Sequence, residues 1–182
     1  MARAYLGLGS NLGDRVALLR DAVRRLADGD DVSVVAASSL WESEPWEDEP
    51  GRTAHERSWY LNCVVAVDTA LPLRALLERL QTVETALGRT RPAGTPEAQR
   101  FAPRTLDIDI LLYDDAVIST PDDLHVPHLL LADRGFVLRP LAELAPDLRH
   151  PTLDQTVQEL LDALDDEHAV RLGDYPAEWL VP

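Results

Sequence analysis

The chain has 182 residues, 46% hydrophobic and 27% charged, which is the size and balance of one folded domain spanning residues 1–182. Its formal net charge of −15 argues against nucleic acid as a partner. All seventeen basic residues are arginine, so lysine-dependent chemistry is excluded, including the Walker A loop and Schiff bases.

Residues 4–9 read as a first strand. The following Gly7-Leu-Gly-Ser-Asn-Leu-Gly13 has G-x-G-x-x-x-G spacing, which is not the dinucleotide fingerprint G-x-G-x-x-G. Asp14 is placed to cap a helix over 15–26 with Val16, Leu19, Val23 and Leu26 on one face. Residues 32–41 read as a second strand and 59–68 as a third. Between them, 42–58 is acidic and proline-rich, the composition of a mobile loop. Cys63 lies in the apolar third strand, where inert packing is the simple reading; a lone cysteine also excludes an internal disulfide and fits the cytoplasm. Pro72 suits the start of a second helix and Gly88 its end. Residues 89–102 form a second long loop, 105–113 a fourth strand, and 116–119 an arm expected to pair back on it. Two more helices are expected, over 135–144 and 156–164, and 162–168 reads as a solvated acidic surface. No apolar run reaches membrane-spanning length, and the N-terminus lacks a signal-peptide pattern. The order strand–helix–strand–strand–helix–strand predicts an α+β, ferredoxin-like βαββαβ sandwich of αβα layers with C-terminal helical additions.

Several places carry candidate chemistry. In the fourth strand, Asp107 and Asp109 project to one face about 7 Å apart, while Leu106, Ile108 and Ile110 project to the other. Two ionised carboxylates repel, and a hard divalent cation such as Mg²⁺ relieves that. The bland alternative is a solvated strand face. Upstream, Arg89, Arg91, Arg100 and Arg104 form a local basic patch containing one acid, Glu97, which suits a phosphate-rich ligand with its metal. In the second helix, Glu84 interrupts the apolar stripe of Leu73, Leu76, Leu77, Leu80 and Leu87, with Gln81 at its edge. Either Glu84 pairs with a nearby arginine, or that face lines a ligand pocket. Finally, Tyr60 and Asn62 share a strand face, a ring and a carboxamide that suit a flat heterocycle. Val126-Pro-His128 and Asp133-Arg-Gly-Phe136 add further polar and aromatic groups in a turn-rich region.

These segments together resemble the 6-hydroxymethyl-7,8-dihydropterin pyrophosphokinase family of folate biosynthesis. The resemblance rests on Gly9-Ser-Asn11, Tyr60-Leu-Asn62, Gln81-x-x-Glu84, Gly88-Arg-x-Arg91, the run RFAPRTLDIDILL at 100–112, Val126-Pro-His128 and Arg134-Gly-Phe136, in order over residues 4–146. It implies transfer of pyrophosphate from ATP to the pterin hydroxymethyl group, releasing AMP, with two Mg²⁺ held by Asp107 and Asp109. It also implies catalytic roles for Arg89, Arg91 and Arg104. Gln81, Glu84, Arg100, Ile110, His125, His128 and Arg134 would meet the nucleotide, and Ser43, Trp46, Tyr60, Asn62 and Phe136 the pterin. His125 and Leu129 stand where some members have Thr and Tyr, Phe101 where many have Trp, and Asp123 where a basic residue occurs. The expected protein is a cytoplasmic monomer acting on small molecules. The alternatives are a catalytically weak pterin- or nucleotide-binding protein of the same fold, and an Mg²⁺-dependent enzyme cleaving between the β- and γ-phosphates.

Overall fold

The computed structural model describes residues 1–45, 59–89, 105–121, 124–176 and 178–180. Trp46, Arg91, Arg100 and Arg104, with most of both long loops, lie outside the described residues.

Strand β1 (Ala2–Ser10) leads into α1 (Arg15–Leu26), where the Asp14 carboxylate accepts from the Ala17 N–H at 3.0 Å. Then come β2 (Val32–Ala37), β3 (Trp41–Ser43), β4 (Tyr60–Thr69), α2 (Leu73–Ala86) and β5 (Asp107–Tyr113). A two-stranded ribbon, β6 (Ile118–Ser119) and β7 (His125–Val126), precedes α3 (Gly135–Leu144), α4 (Val157–Asp162) and β8 (Val170–Leu172). The main sheet runs β5-β1-β4-β3-β8, with β2 also on β4, and its pairings are antiparallel. Among the described residues, no helix is long and apolar enough to cross a membrane.

The sequence reading needs three corrections here. The expected strand over 32–41 is two strands. The Ser38 hydroxyl accepts the Val64 N–H, so the Ser38 carbonyl is released from the ladder and accepts from Trp179 Nε1 at 2.8 Å. The arm ending at Ser119 pairs with β7, not with β5. The outer side of β5 is instead met by the His128 N–H, which donates to the Leu111 carbonyl at 2.9 Å. The segment 162–168 is not wholly solvated: the Asp166 carboxylate is 2% exposed and accepts from the Gly135 N–H at the start of α3.

Alternation along the strands sorts the core into two layers. Leu6, Leu8, Leu61, Cys63, Val65, Ile108 and Ile110 pack with α1 and α2. Burial drives the Cys63 thiol well above its ordinary range, so it is inert, as the apolar run implied. Tyr5, Val64, Ala66 and Leu111 pack on the other face beneath α3 and α4. That second face changes character along β1. Its Tyr5 end is covered, but the next two positions on the same face are Gly7 and Gly9, both partly open.

Candidate active site

The open end of that face carries Asn62, Asp107 and Asp109. The register aligns Asn62 of β4, Gly9 of β1 and Asp107 of β5, and beside them Val64, Gly7 and Asp109. All six side-chain positions share one face. Asn62 and Asp107 are therefore two strand spacings apart, about 10 Å, across a floor that has no side chains. A β-carbon on Gly9 would lie 3.1 Å from Asn62 Oδ1 and 3.9 Å from Tyr60 Cδ1, so a side chain there would press on the Asn62 carboxamide.

Asn62 is 5% exposed, and its orientation is set by its donors. Nδ2 donates to Ser43 Oγ at 2.9 Å and to the Trp41 carbonyl at 3.4 Å. This turns Oδ1 over Gly9 as a hydrogen-bond acceptor. Ser43 is thus a side-chain support for Asn62. Tyr60, partly exposed, stands beside it. Phe136 lies in the first turn of α3, packed against the core beneath that helix, with the Arg134 guanidinium 5.5 Å from its ring centre.

At the other end of the floor, the Asp109 side chain is 46% exposed and that of Asp107 20%. As anticipated, Leu106, Ile108 and Ile110 are buried on the opposite side. Ile110 thus offers no side chain to this face. Glu84 resolves toward the pairing reading. Its Oε1 accepts from Arg89 Nη1 and from the Ile108 N–H, the latter at 2.8 Å. The same Arg89 nitrogen donates to Asp107. Gly88, at φ 85°, lets the chain reverse after α2 so that Arg89 reaches both acids. Burial drives the Glu84 carboxyl above its ordinary value; Arg89 and the Ile108 N–H pull it down and Asp107 pushes it up, leaving it raised. Gln81, one turn earlier, is exposed.

His128 closes this end. Its Nδ1 accepts the Leu130 N–H at 3.2 Å, and its Nε2 lies 4.0 Å from Asp109 Oδ2. Burial, reinforced by Arg134, lowers its pKa to about 4, so at neutral pH the ring is uncharged. With Nδ1 accepting, the proton sits on Nε2, facing Asp109. His125 of β7 shares a hydrogen bond with Ser119 at 2.9 Å.

Sequence reasoning held Gly9 only within the Gly9-Ser-Asn11 match and missed its place between Asn62 and Asp107, the Trp41 carbonyl and the supporting role of the Ser43 hydroxyl. One signal was available: glycines at i and i+2 of a strand leave one sheet face bare.

Asp107 and Asp109 offer hard oxygen donors, and the exposure of Asp109 leaves room for water. This donor set fits Mg²⁺, which keeps several waters and takes one or two carboxylates plus phosphate oxygens. Among the described residues, no group of three or more His, Cys, Asp or Glu forms a ready-made metal cage. The arrangement sets a carboxamide acceptor at one end of the Gly9 floor and two carboxylates at the other.

The family described as 7,8-dihydro-6-hydroxymethylpterin-pyrophosphokinase (HPPK) matches residues 5–146. A Methylorubrum extorquens protein named 2-amino-4-hydroxy-6-hydroxymethyldihydropteridine pyrophosphokinase is 44% identical over 165 residues, 91% of this chain and 95% of that protein. A Bacillus subtilis protein of the same name is 39% identical over 171 residues, 93% of this chain and 89% of that one. A crystal structure of HPPK-DHPS in complex with substrates superposes with a TM-score of 0.64 at 14% identity over 89% of this chain, a likeness of fold alone. This chain spans 44% of that longer one. The chain belongs to the HPPK family.

Proposed function

We propose that this protein transfers pyrophosphate from ATP to 6-hydroxymethyl-7,8-dihydropterin in folate biosynthesis. The pterin hydroxyl oxygen bonds to the β-phosphorus. The bond from that phosphorus to the α,β-bridging oxygen breaks, AMP leaves with that oxygen, and the hydroxyl proton passes to water. The observation that carries this reading is the register of Asn62, Gly9 and Asp107. A pterin presenting its N–H edge to Asn62 Oδ1 extends its hydroxymethyl group across the glycine floor toward the acidic pair. Tyr60 and Phe136 flank the rings.

Asp107 and Asp109 would hold two Mg²⁺, which neutralise phosphate charge when bound. Arg89 bears a positive charge already poised at Asp107. Arg91 and Arg104 would add charge on the phosphates, with Trp46 contributing to the pterin pocket. Gln81, Arg100, His125, His128 and Arg134 would serve the nucleotide, with Ile110 acting through its main chain and Glu84 through the Arg89 it anchors. His128, uncharged, presents its Nε2–H as a donor. The protein supplies position and charge more than covalent chemistry. We read the β5-β1-β4-β2/β3 order, with α1 and α2 on one face, as ferredoxin-like, and the protein as a cytoplasmic monomer.

The test is the nucleotide product. With ATP, Mg²⁺ and the reduced pterin, AMP should appear in step with pterin diphosphate. ADP, or ligand binding without turnover, would contradict the reading. A second expectation concerns the floor. Gly9→Ala should displace the Asn62 carboxamide and raise KM for the pterin about tenfold, with KM for ATP nearly unchanged, as steady-state kinetics would show.

A further inference from the structure

The family match ends at residue 146, yet the chain beyond it returns to the supports of the pterin pocket. Strand β8 pairs with β3, setting Val170 opposite Ser43 and Arg171 opposite Glu42. The pairing continues outward, with the Glu44 N–H donating to the Ala169 carbonyl at 3.1 Å and the Ala169 N–H to Glu44 Oε1 at 2.8 Å. Arg171 donates through Nε and Nη2 to Glu42 Oε2 at 2.9 and 2.7 Å, and its guanidinium lies 4.6 Å from the Trp59 ring centre. Arg15 closes the loop from the other side, donating to the Trp59 carbonyl at 2.8 Å and to Glu42 Oε1 at 3.3 Å. Trp59 immediately precedes Tyr60, and Glu42 immediately precedes Ser43. Arg171 therefore grips the neighbours of two pocket residues at once.

The same segment also fixes the third pocket element. Asp166 Oδ2 accepts from the Gly135 N–H at 2.8 Å, while Oδ1 accepts from the His168 N–H at 3.0 Å and meets its ring at 2.6 Å. A β-carbon on Gly135 would lie 3.1 Å from Asp166 Oδ2, so a side chain before Phe136 would crowd this close approach. An acid at a helix N-terminus also favours the helix dipole.

We propose that residues 166–172 form a strap that positions the pterin pocket, with Asp166 and Arg171 as its positioning residues. Arg171 sets β3 and the start of β4, and through them Ser43, Asn62 and Tyr60. Asp166 sets the first turn of α3, and through it Phe136. The proposal rests on the pyrophosphokinase reading. Arg171 is 67% exposed, so its ion pair contributes little to overall stability. A merely structural strap would thus leave Arg171→Ala silent.

The experiment measures KM for each substrate, calorimetric binding of the reduced pterin to the protein loaded with Mg²⁺ and a non-transferable ATP analogue, and thermal unfolding. Arg171→Ala and Asp166→Ala should each raise the pterin KM and Kd about five- to tenfold, with KM for ATP unchanged. The Arg171→Ala variant should melt with the unmodified protein. Arg171→Lys and Asp166→Asn, which retain a charge and an acceptor respectively, should recover part of the loss. Unchanged pterin KM and Kd in both alanine variants would overturn the proposal. So would parallel losses for both substrates that follow the unfolding temperature. Failure of the unmodified chain to bind the pterin would instead overturn the pyrophosphokinase reading, and the strap with it.

Discussion

Asp109→Ala is expected to lower turnover about a thousandfold without unfolding the protein. A metal that polarises phosphate oxygens is worth several kcal/mol, and about 4 kcal/mol corresponds to that factor. The fold should tolerate the change because the side chain is 46% exposed and aspartate is a poor strand former. Asp107→Ala should be equally damaging to turnover, and it also deprives Arg89 of one of its two acids. Rate measurements across a Mg²⁺ titration, with thermal unfolding as control, check both variants. Normal turnover in either would remove the metal assignment.

The largest stability effect is expected at Arg89. Arg89→Met leaves Glu84, whose side chain is 5% exposed, buried without its cation. Breaking such a pair costs about 3 kcal/mol, which for a chain of this size lowers Tm by roughly 6–12 °C. The cost should depend on pH in a definite direction. Glu84 already sits above its ordinary value of 4.5, chiefly through burial, and loss of Arg89 raises it further. Above 4.5 the unfolded chain releases this proton and the folded one retains it, so the variant loses stability as pH rises. The deficit should therefore shrink toward pH 4.5 and grow toward neutrality. Adding Glu84→Gln should restore more than half of it, because a carboxamide needs no countercharge. Urea unfolding of the double-mutant cycle at two pH values measures both effects. Equal deficits at both would show that Glu84 is not the group left stranded.

Features set by nearby residues were readable in the sequence. The bounds of α1 follow from the Asp14 cap and its apolar stripe, and α3 begins and ends where the pattern placed it. The common face of Asp107 and Asp109 follows from strand alternation alone. What escaped depends on residues far apart in the chain. The break at Ser38 is tied to Trp179, which takes the released carbonyl. The burial of Asp166 is decided by the Gly135 N–H. The choice between two readings of Glu84 turned on β5, which brings the Ile108 N–H to Glu84 and Asp107 to Arg89. Gly9 shows the limit most plainly: its local setting is a glycine in a strand. Only the pairing with β4 on one side and β5 on the other makes it the floor between Asn62 and Asp107.

That shared floor is the centre of the account, and paramagnetic relaxation tests it directly. Mn²⁺ would replace Mg²⁺, with a non-transferable ATP analogue and the reduced pterin bound, and relaxation of the pterin hydroxymethyl protons would be read. The register predicts a metal-to-proton separation within about 10 Å, hence strong relaxation that Asp109→Ala abolishes while the pterin stays bound. Relaxation that is absent with all ligands bound, or untouched by Asp109→Ala, would contradict a pterin and a metal seated on one face across Gly9.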